Sequence, residues 1–220
     1  TGGEPTVIPE VRSILESVLD NSSPDLSILI TTNGSFTDQF WYDLTCQHKN
    51  LHWTVSVDAV GPAAEIVRHG TDWPQVEYNL QWLAQHANSM DVNTVVSNLN
   101  VLQLAPLLTH VRNLQLQSQK SGQMGDQGLR HLFYVCVRPY ELAADNWPPN
   151  LRSQVLKHLQ QCLGLNLDEH QQDTVEHLMN SILFANFDQG LWDRSIEYNG
   201  ILDRIRGQNH NQLHQPNWLA

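Results

Sequence analysis

The sequence LSILITTNG, residues 26–34, is the stretch that decides the fold. It begins with a short, mostly apolar run, which is typical of a strand covered on both faces of a parallel sheet. It ends in the polar turn TTNG. Three more apolar runs follow and also end in small or polar residues, at 51–61 (LHWTVSVDAVG), 91–100 (DVNTVVSNLN) and 131–139 (HLFYVCVRP). Segments with helical spacing of apolar residues separate the runs, so the sequence predicts βαβ units and an α/β fold.

The last third of the chain contains only helix-like patterns. They cover about 149–163, 168–187 and 190–206, and a polar tail follows. We therefore expect two parts, an α/β domain over 1–147 and a helical extension over 148–220.

Composition excludes several classes of protein. The chain has 23 acidic and 12 basic residues, a formal net charge of −11, which repels phosphate backbones and argues against a nucleic-acid partner. No apolar run reaches the roughly 18 residues of a membrane span. Cys46, Cys136 and Cys162 form no C-x-x-C pair and no disulfide framework, which predicts a reducing, cytoplasmic compartment.

The first residues, TGGEP (1–5), have the composition expected just after a strand. Gly2 and Gly3 would let a ligand approach the backbone closely. Glu4 could accept hydrogen bonds from an ammonium group.

The other strand ends carry polar residues as well. Asn33 follows Thr32 in a tight turn, and Ser56 and Asp58 are two apart, so both point to the same face of their strand. Because the carboxyl ends of parallel strands meet at one edge, these junctions favour a single ligand site there. Each junction alone is commonly only a turn.

The order of these motifs resembles the radical S-adenosylmethionine superfamily. GGEP, then TTNG, then SVDAVG and a V-x-N strand carry the likeness over about 1–140, and SVDAVG to VRHGTDWPQVEYNLQWL is similar to the branch with a twitch or SPASM-like extension. The resemblance implies a partial (β/α)6, TIM-like barrel that binds S-adenosylmethionine and a [4Fe–4S] cluster. The cofactor is cleaved there to a 5′-deoxyadenosyl radical, which abstracts hydrogen from a small-molecule or peptide substrate.

The resemblance also implies roles for individual residues. Gly2, Gly3 and Glu4 would bind the methionyl amino group, and the Thr32–Asn33 turn would contribute to cofactor binding. Ser56 and Asp58 would contact the ribose or the methionyl part, and Arg68 would pair with the methionyl carboxylate. Asn98 would face the cofactor, and the backbone near Arg138 would lie against the adenine. A solvated helix charge explains Arg68 equally well.

One departure from the family is large. The family's C-x-x-x-C-x-x-C loop, whose thiolates hold the cluster, is absent, as are the first strand and most of the second. We therefore expect an N-terminally truncated barrel whose cluster ligands lie in a missing upstream segment. A complete protein would be an enzyme, whereas this chain alone would not be. No catalytic residue is assigned.

Two other interpretations stay open. The chain could be a degenerate barrel without a cluster that serves as a non-catalytic binding module, or an unrelated α/β domain in which GGEP is coincidental. No G-x-S-x-G motif supports a hydrolase.

We expect no metal centre in the predicted C-terminal helices. A group of acidic and imidazole side chains recurs at helical spacing, and a solvated helix face explains it better than a metal site. Its members are Glu169, His170, Asp173, Glu176 and His177. A single cysteine in this region, Cys162, argues against an auxiliary cluster.

Overall fold

The computed structural model describes residues 3–21, 25–122, 124 and 128–214. Within them, strands alternate with helices up to the fourth strand, and three long helices follow. The strands are β1 (Ile28–Thr32), β2 (Leu51–Ser56), β3 (Ser89–Val96) and β4 (Leu129–Val135). The helices are α1 (Pro9–Asn21), α2 (Gln39–Gln47), α3 (Pro62–Val67), α4 (Trp73–His86), α5 (Leu104–Ser121), α6 (Pro149–Leu163), α7 (Glu169–Phe184) and α8 (Gln189–Arg206).

The strands form one parallel sheet in the order in which they occur along the chain, β1-β2-β3-β4. Ile30 is paired with Trp53, and Trp53 with Met90. The α/β prediction is therefore confirmed.

The chain divides into two compact units. Unit 1 comprises Thr1–Val57, Thr71–Asn93 and Val111–His131, and unit 2 comprises Asp58–Gly70, Thr94–His110 and Leu132–Ala220. Strands β1 and β2 belong to unit 1, whereas β3 and β4 each begin in unit 1 and end in unit 2.

The sheet of unit 1 is buried on one face. In β2, Leu51, Trp53 and Val55 are buried, and the residues between them are only partly covered. Strand β1 behaves in the same way, since Ile30 is buried and Leu29 is 66% exposed. The expectation that the apolar run at 26–30 is covered on both faces is therefore wrong, because successive strand residues point to opposite faces and Leu29 is exposed on one of them.

Aromatic packing fills the buried side of unit 1. The Trp53 ring stacks on Phe36 with centroids 5.2 Å apart, and Trp41 meets Trp53 edge-on at 6.2 Å. The two indole N–H groups also have acceptors, Thr6 O for Trp41 and Thr45 Oγ1 for Trp53. Burying large rings with their N–H groups satisfied contributes strongly to stability.

A polar cluster joins three strands on the partly exposed side of the sheet. His52 Nδ1 lies 2.6 Å from Ser89 Oγ, and His52 Nε2 lies 3.1 Å from Asp91 Oδ2. Arg130 donates two hydrogen bonds of 2.7 Å to the Asp91 carboxylate, one to each oxygen. The cluster lies near the amino ends of the strands, where side chains of parallel α/β folds commonly serve stability.

Helices α6 and α7 build the core of unit 2. Leu159 and Cys162 of α6 and Val175, Leu178 and Ile182 of α7 are fully or almost fully buried in one cluster. Helix α7 begins with a capping box in which Asp168 and Gln171 bond each other's backbone N–H groups. Helix α6 has the predicted bounds, and α7 and α8 begin within one residue of them. Among the described residues, no helix is both long and apolar enough to cross a membrane.

Candidate functional site

Glu4 joins the GGEP and TTNG motifs in unit 1. Its Oε1 accepts hydrogen bonds from the hydroxyls of Thr6 and Thr32, both 2.6 Å, and from the Thr6 N–H at 3.2 Å. Its Oε2 accepts the Asn33 N–H at 2.6 Å. We call Glu4, Thr6, Thr32 and Asn33 the Glu4 hub. It brings together three residues that the sequence assigned to one site, although 28 positions separate Glu4 from Thr32.

The turn after β1 is tightly shaped. Asn33 Oδ1 accepts the Ser35 N–H and the Ser35 hydroxyl at 2.9 and 2.6 Å, and Gly34 N–H donates to Thr32 Oγ1 at 3.0 Å. Gly34 has φ +80°, and a Cβ at this position would lie 3.0 Å from Val55 Cγ1. Glycine is required here both by the backbone conformation and by the close approach.

Asn79 of α4 anchors this turn, and sequence reasoning missed it. Its Nδ2 donates 2.7 Å hydrogen bonds to the carbonyls of Gly34 and Phe36. Its Oδ1 accepts from the Tyr42 hydroxyl at 2.6 Å and from Gln75 Nε2 at 3.1 Å. An Asn inside a helix carries no distinguishing sequence pattern, so nothing in the sequence indicates that all four bonding positions of this amide are used.

A cavity of about 340 Å³ adjoins the Glu4 hub within unit 1. Arg12 and Asp38 form an ion pair across it with a 2.7 Å contact, and Arg12 also bonds Glu16 at 2.9 Å. The Phe40 N–H and the Arg12 guanidinium hold the pKa of Asp38 below its usual value. The lining residues are Thr6, Val7, Ile8, Pro9, Arg12, Ser35, Thr37, Asp38 and Trp41. Thr6 and Ser35 line the cavity and also bond within the hub or its turn, so a ligand in the cavity would lie next to both motifs.

The remaining candidates of unit 1 have separate surroundings. Gly3 is exposed, and a Cβ there would lie 3.3 Å from Ile8 Cδ1. Gly2 lies outside the described residues. Ser56 is half-buried on β2 and is paired in register with Asn93, whose Oδ1 is buried with no partner in the described part of the chain.

Asp58 and Arg68 meet in unit 2. Arg68 Nη1 lies 3.4 Å from Asp58 Oδ2, and Asp58 Oδ1 accepts the Val95 N–H at 2.8 Å. Burial raises the pKa of Asp58, and the contacts with Arg68 and Val95 oppose that shift. Asn100 Nδ2 bonds the Asp58 carbonyl at 2.7 Å. The arginine predicted to meet a methionyl carboxylate therefore faces a carboxylate of its own chain.

Asn98 is buried in unit 2 beneath α8. Its Nδ2 donates to the Glu141 carbonyl at 2.9 Å and to Ser195 Oγ at 3.0 Å. Its Oδ1 is buried with no partner among the described residues. Arg138, the last candidate, is exposed and lies over the Tyr140 ring at 5.3 Å.

The three cysteines do not fit an iron–sulfur cluster. Cys46 is exposed, whereas Cys136 and Cys162 are buried. Burial raises the pKa of the Cys136 thiol and raises that of Cys162 to about 12, so both are held in the protonated form, although a cluster requires thiolates.

Within the described ranges, no three His, Cys, Asp or Glu side chains are grouped so that they could hold a metal ion. The acidic and imidazole residues of α7 that the sequence singled out, Glu169, His170, Asp173, Glu176 and His177, are all exposed.

Comparison with protein-family models, curated proteins and solved structures finds no match for this chain.

Proposed function

We propose that this chain is part of the catalytic domain of a radical S-adenosylmethionine enzyme, and that the Glu4 hub holds the methionyl end of that cofactor. The single observation that carries the proposal is the meeting of GGEP and TTNG at one carboxylate. Two motifs chosen from the sequence for the same ligand converge, and a small cavity adjoins them.

The Glu4 carboxylate suits an ammonium ligand. From the described residues Oε1 accepts three hydrogen bonds, whereas Oε2 accepts one, so within that part of the chain a lone pair of Oε2 is left for a further donor. An ammonium–carboxylate bond is charge-assisted and about twice as strong as a neutral one. The Thr32 hydroxyl and Asn33 N–H hold the carboxylate in place before the ligand arrives. When bound, S-adenosylmethionine supplies a sulfonium group as the reacting centre.

The sheet supports the barrel part of the proposal. Crossover connections between parallel strands are right-handed in nearly all proteins, so a sheet whose strand order follows the chain carries its helices on one face. The alternating burial of β2 fits such a sheet. In a partial (β/α)6 barrel the sheet curves so that this uncovered, polar face lines the interior. Residues 1–147 would then form the barrel, and residues 148–220 its helical extension.

The cysteines favour a second candidate function. Since the thiols of this chain do not fit a cluster, no step of radical chemistry is assigned to it. A cluster-less barrel that binds a partner protein without chemistry agrees with the same geometry.

Calorimetric titration of the chain with S-adenosylmethionine tests the binding proposal. We expect saturable binding that Glu4→Gln weakens about 10- to 100-fold, because a charge-assisted hydrogen bond is lost. The matched control is Glu10→Gln, which removes the same charge from an exposed position in the first turn of α1. Thermal unfolding of both variants verifies that they are folded. No binding by the unmodified chain, or equal affinities for the Glu4→Gln and Glu10→Gln variants, would refute the assignment.

Anaerobic reconstitution separates the two candidate functions. The protein translated from the complete reading frame that contains this sequence is incubated with iron and sulfide. A brown, cluster-bearing protein supports the enzyme. A colourless protein that does not bind S-adenosylmethionine supports the binding module.

A further inference from the structure

Helix α8 packs through two buried polar residues and through Trp192, which is partly buried against the core of unit 2. Of its 18 residues only Ser195 and Asn199 are buried. They are four positions apart, so they lie on one side of the helix. Ser195 Oγ accepts hydrogen bonds from Asn98 Nδ2 at 3.0 Å and from Asn199 Nδ2 at 3.5 Å. The buried side of α8 therefore includes a hydrogen-bonding surface.

Three exposed apolar residues of α8 lie on another side of the helix, whereas Ile196, which is also exposed, lies apart from them. Tyr198, Ile201 and Ile205 are 41%, 40% and 75% exposed. Their spacings of three and four residues place them in one line along the helix, and we call them the α8 stripe. An amphipathic helix normally buries such a line, so the stripe lacks a covering partner in the described part of the chain.

Charges beside the stripe indicate what covers it. Glu197 and Arg204 are both exposed and lie on the same flank of the stripe, seven residues apart. When two copies of one helix pair antiparallel, the same flank of each faces that of the other, so Glu197 of one copy meets Arg204 of the second, and the reverse contact forms too. This surface is complementary to itself.

We propose that the α8 stripe is a dimer interface with a second copy of this chain, formed by two antiparallel α8 helices about a two-fold axis. Tyr198 of each copy packs on Ile201 of the other, and Ile205 covers the ends of the seam. Glu197 and Arg204 form two symmetric ion pairs that fix the orientation. The polar side of α8 stays on Asn98, so pairing requires no rearrangement within unit 2.

Sedimentation equilibrium of the full chain over a range of concentrations tests the proposal. We expect the mass to rise from the 25.1 kDa monomer to about twice that value as concentration increases. Ile201→Asp should abolish the rise, because it buries an unpaired charge in the seam. Glu197→Arg and Arg204→Glu should each weaken dimerisation by about tenfold or more through like-charge contacts, and the double variant Glu197→Arg/Arg204→Glu should restore it.

The matched control is Glu176→Arg, an equal change of charge at an exposed position of α7, and it should leave dimerisation unchanged. Because the charge variants alter only exposed residues, they do not depend on refolding of a core. A chain that stays monomeric at all concentrations overturns the proposal and leaves the stripe to another partner. A dimer that Ile201→Asp does not affect, or that the double variant fails to restore, overturns it equally.

Discussion

Replacing Asn79 with leucine tests whether one buried amide holds the turn of the candidate site. The side chain is fully buried and makes four hydrogen bonds, so the substitution removes two donors and one doubly used acceptor. The Phe36 carbonyl keeps a donor in Gln75 Nε2 at 3.3 Å. The Gly34 carbonyl loses the donor that the amide provides.

The expected loss of stability follows from these contacts. A buried carbonyl left without a donor costs roughly 1–3 kcal/mol, and each remaining hydrogen bond contributes about 0.5–1.5 kcal/mol net. Because Tyr42 and Gln75 are only partly buried and can bond water instead, we expect a total decrease of about 3 kcal/mol in the free energy of unfolding.

Urea denaturation followed by far-UV circular dichroism measures this change by linear extrapolation. Gln75→Ala is the graded control, and it should cost less than about 1 kcal/mol because the Gln75 side chain is half-exposed. Asn79→Asp keeps the shape and the acceptor for Tyr42 but sets a carboxylate oxygen against two carbonyls, so it should be at least as damaging as leucine at pH 7. If both variants at position 79 lose less than about 1 kcal/mol, the turn is not held by this amide and the reasoning fails.

Three further measurements examine packing and burial in the two units. Gly34→Ala should destabilise the protein by roughly 1–3 kcal/mol in urea unfolding, because it adds a close contact to positive-φ strain. Gly207 also has a positive φ, but a Cβ there would enter open space, so Gly207→Ala should cost only about 1 kcal/mol. Equal losses of stability in the two variants would contradict the close contact at Gly34. Burial lowers the pKa of His131 to about 4, so as the pH falls the unfolded chain is protonated at this imidazole before the folded protein is. The free energy of unfolding should therefore fall by up to about 3 kcal/mol between pH 6.5 and 4, and it should fall less in His131→Gln. An unchanged dependence of stability on pH in that variant would exclude His131 as the cause. Under native conditions a thiol reagent should modify Cys46 alone, whereas Cys136 and Cys162 should react only in denaturant. Rapid modification of all three cysteines would mean that the core of unit 2 is open.

The strands could be predicted from the sequence because each lies in a short, mostly apolar run that ends in polar residues. Their bounds could not be predicted as well. Strand β3 begins at Ser89, two residues before the predicted 91, because Ser89 and Met90 pair with His52 and Trp53 in β2. Pairing between strands, rather than the local pattern, decides where a strand starts.

The candidate site could be predicted only where strand geometry brings residues together. Glu4 meets Thr32 and Asn33 at the carboxyl end of β1, where TTNG was expected, but among the described residues Glu4 precedes a 3-10 turn at Pro5–Val7 and follows no strand. Asn98 shows the limit, since its Nδ2 bonds Ser195, 97 positions later in the chain. Local periodicity contains no information about which helix returns to cover a strand end.

The strand order has a consequence for how the protein is made. Since every strand pairs with the one synthesised just before it, the sheet can be laid down in the order of translation. Strands β1 and β2, whose partners are close in sequence, can pair on the ribosome before β4 has been translated. Helix α8, which supplies Ser195 to Asn98, follows β4 in the chain and therefore emerges after it. The candidate site of unit 1 can thus take shape in the nascent chain, while the end of β3 stays open until α8 has been translated.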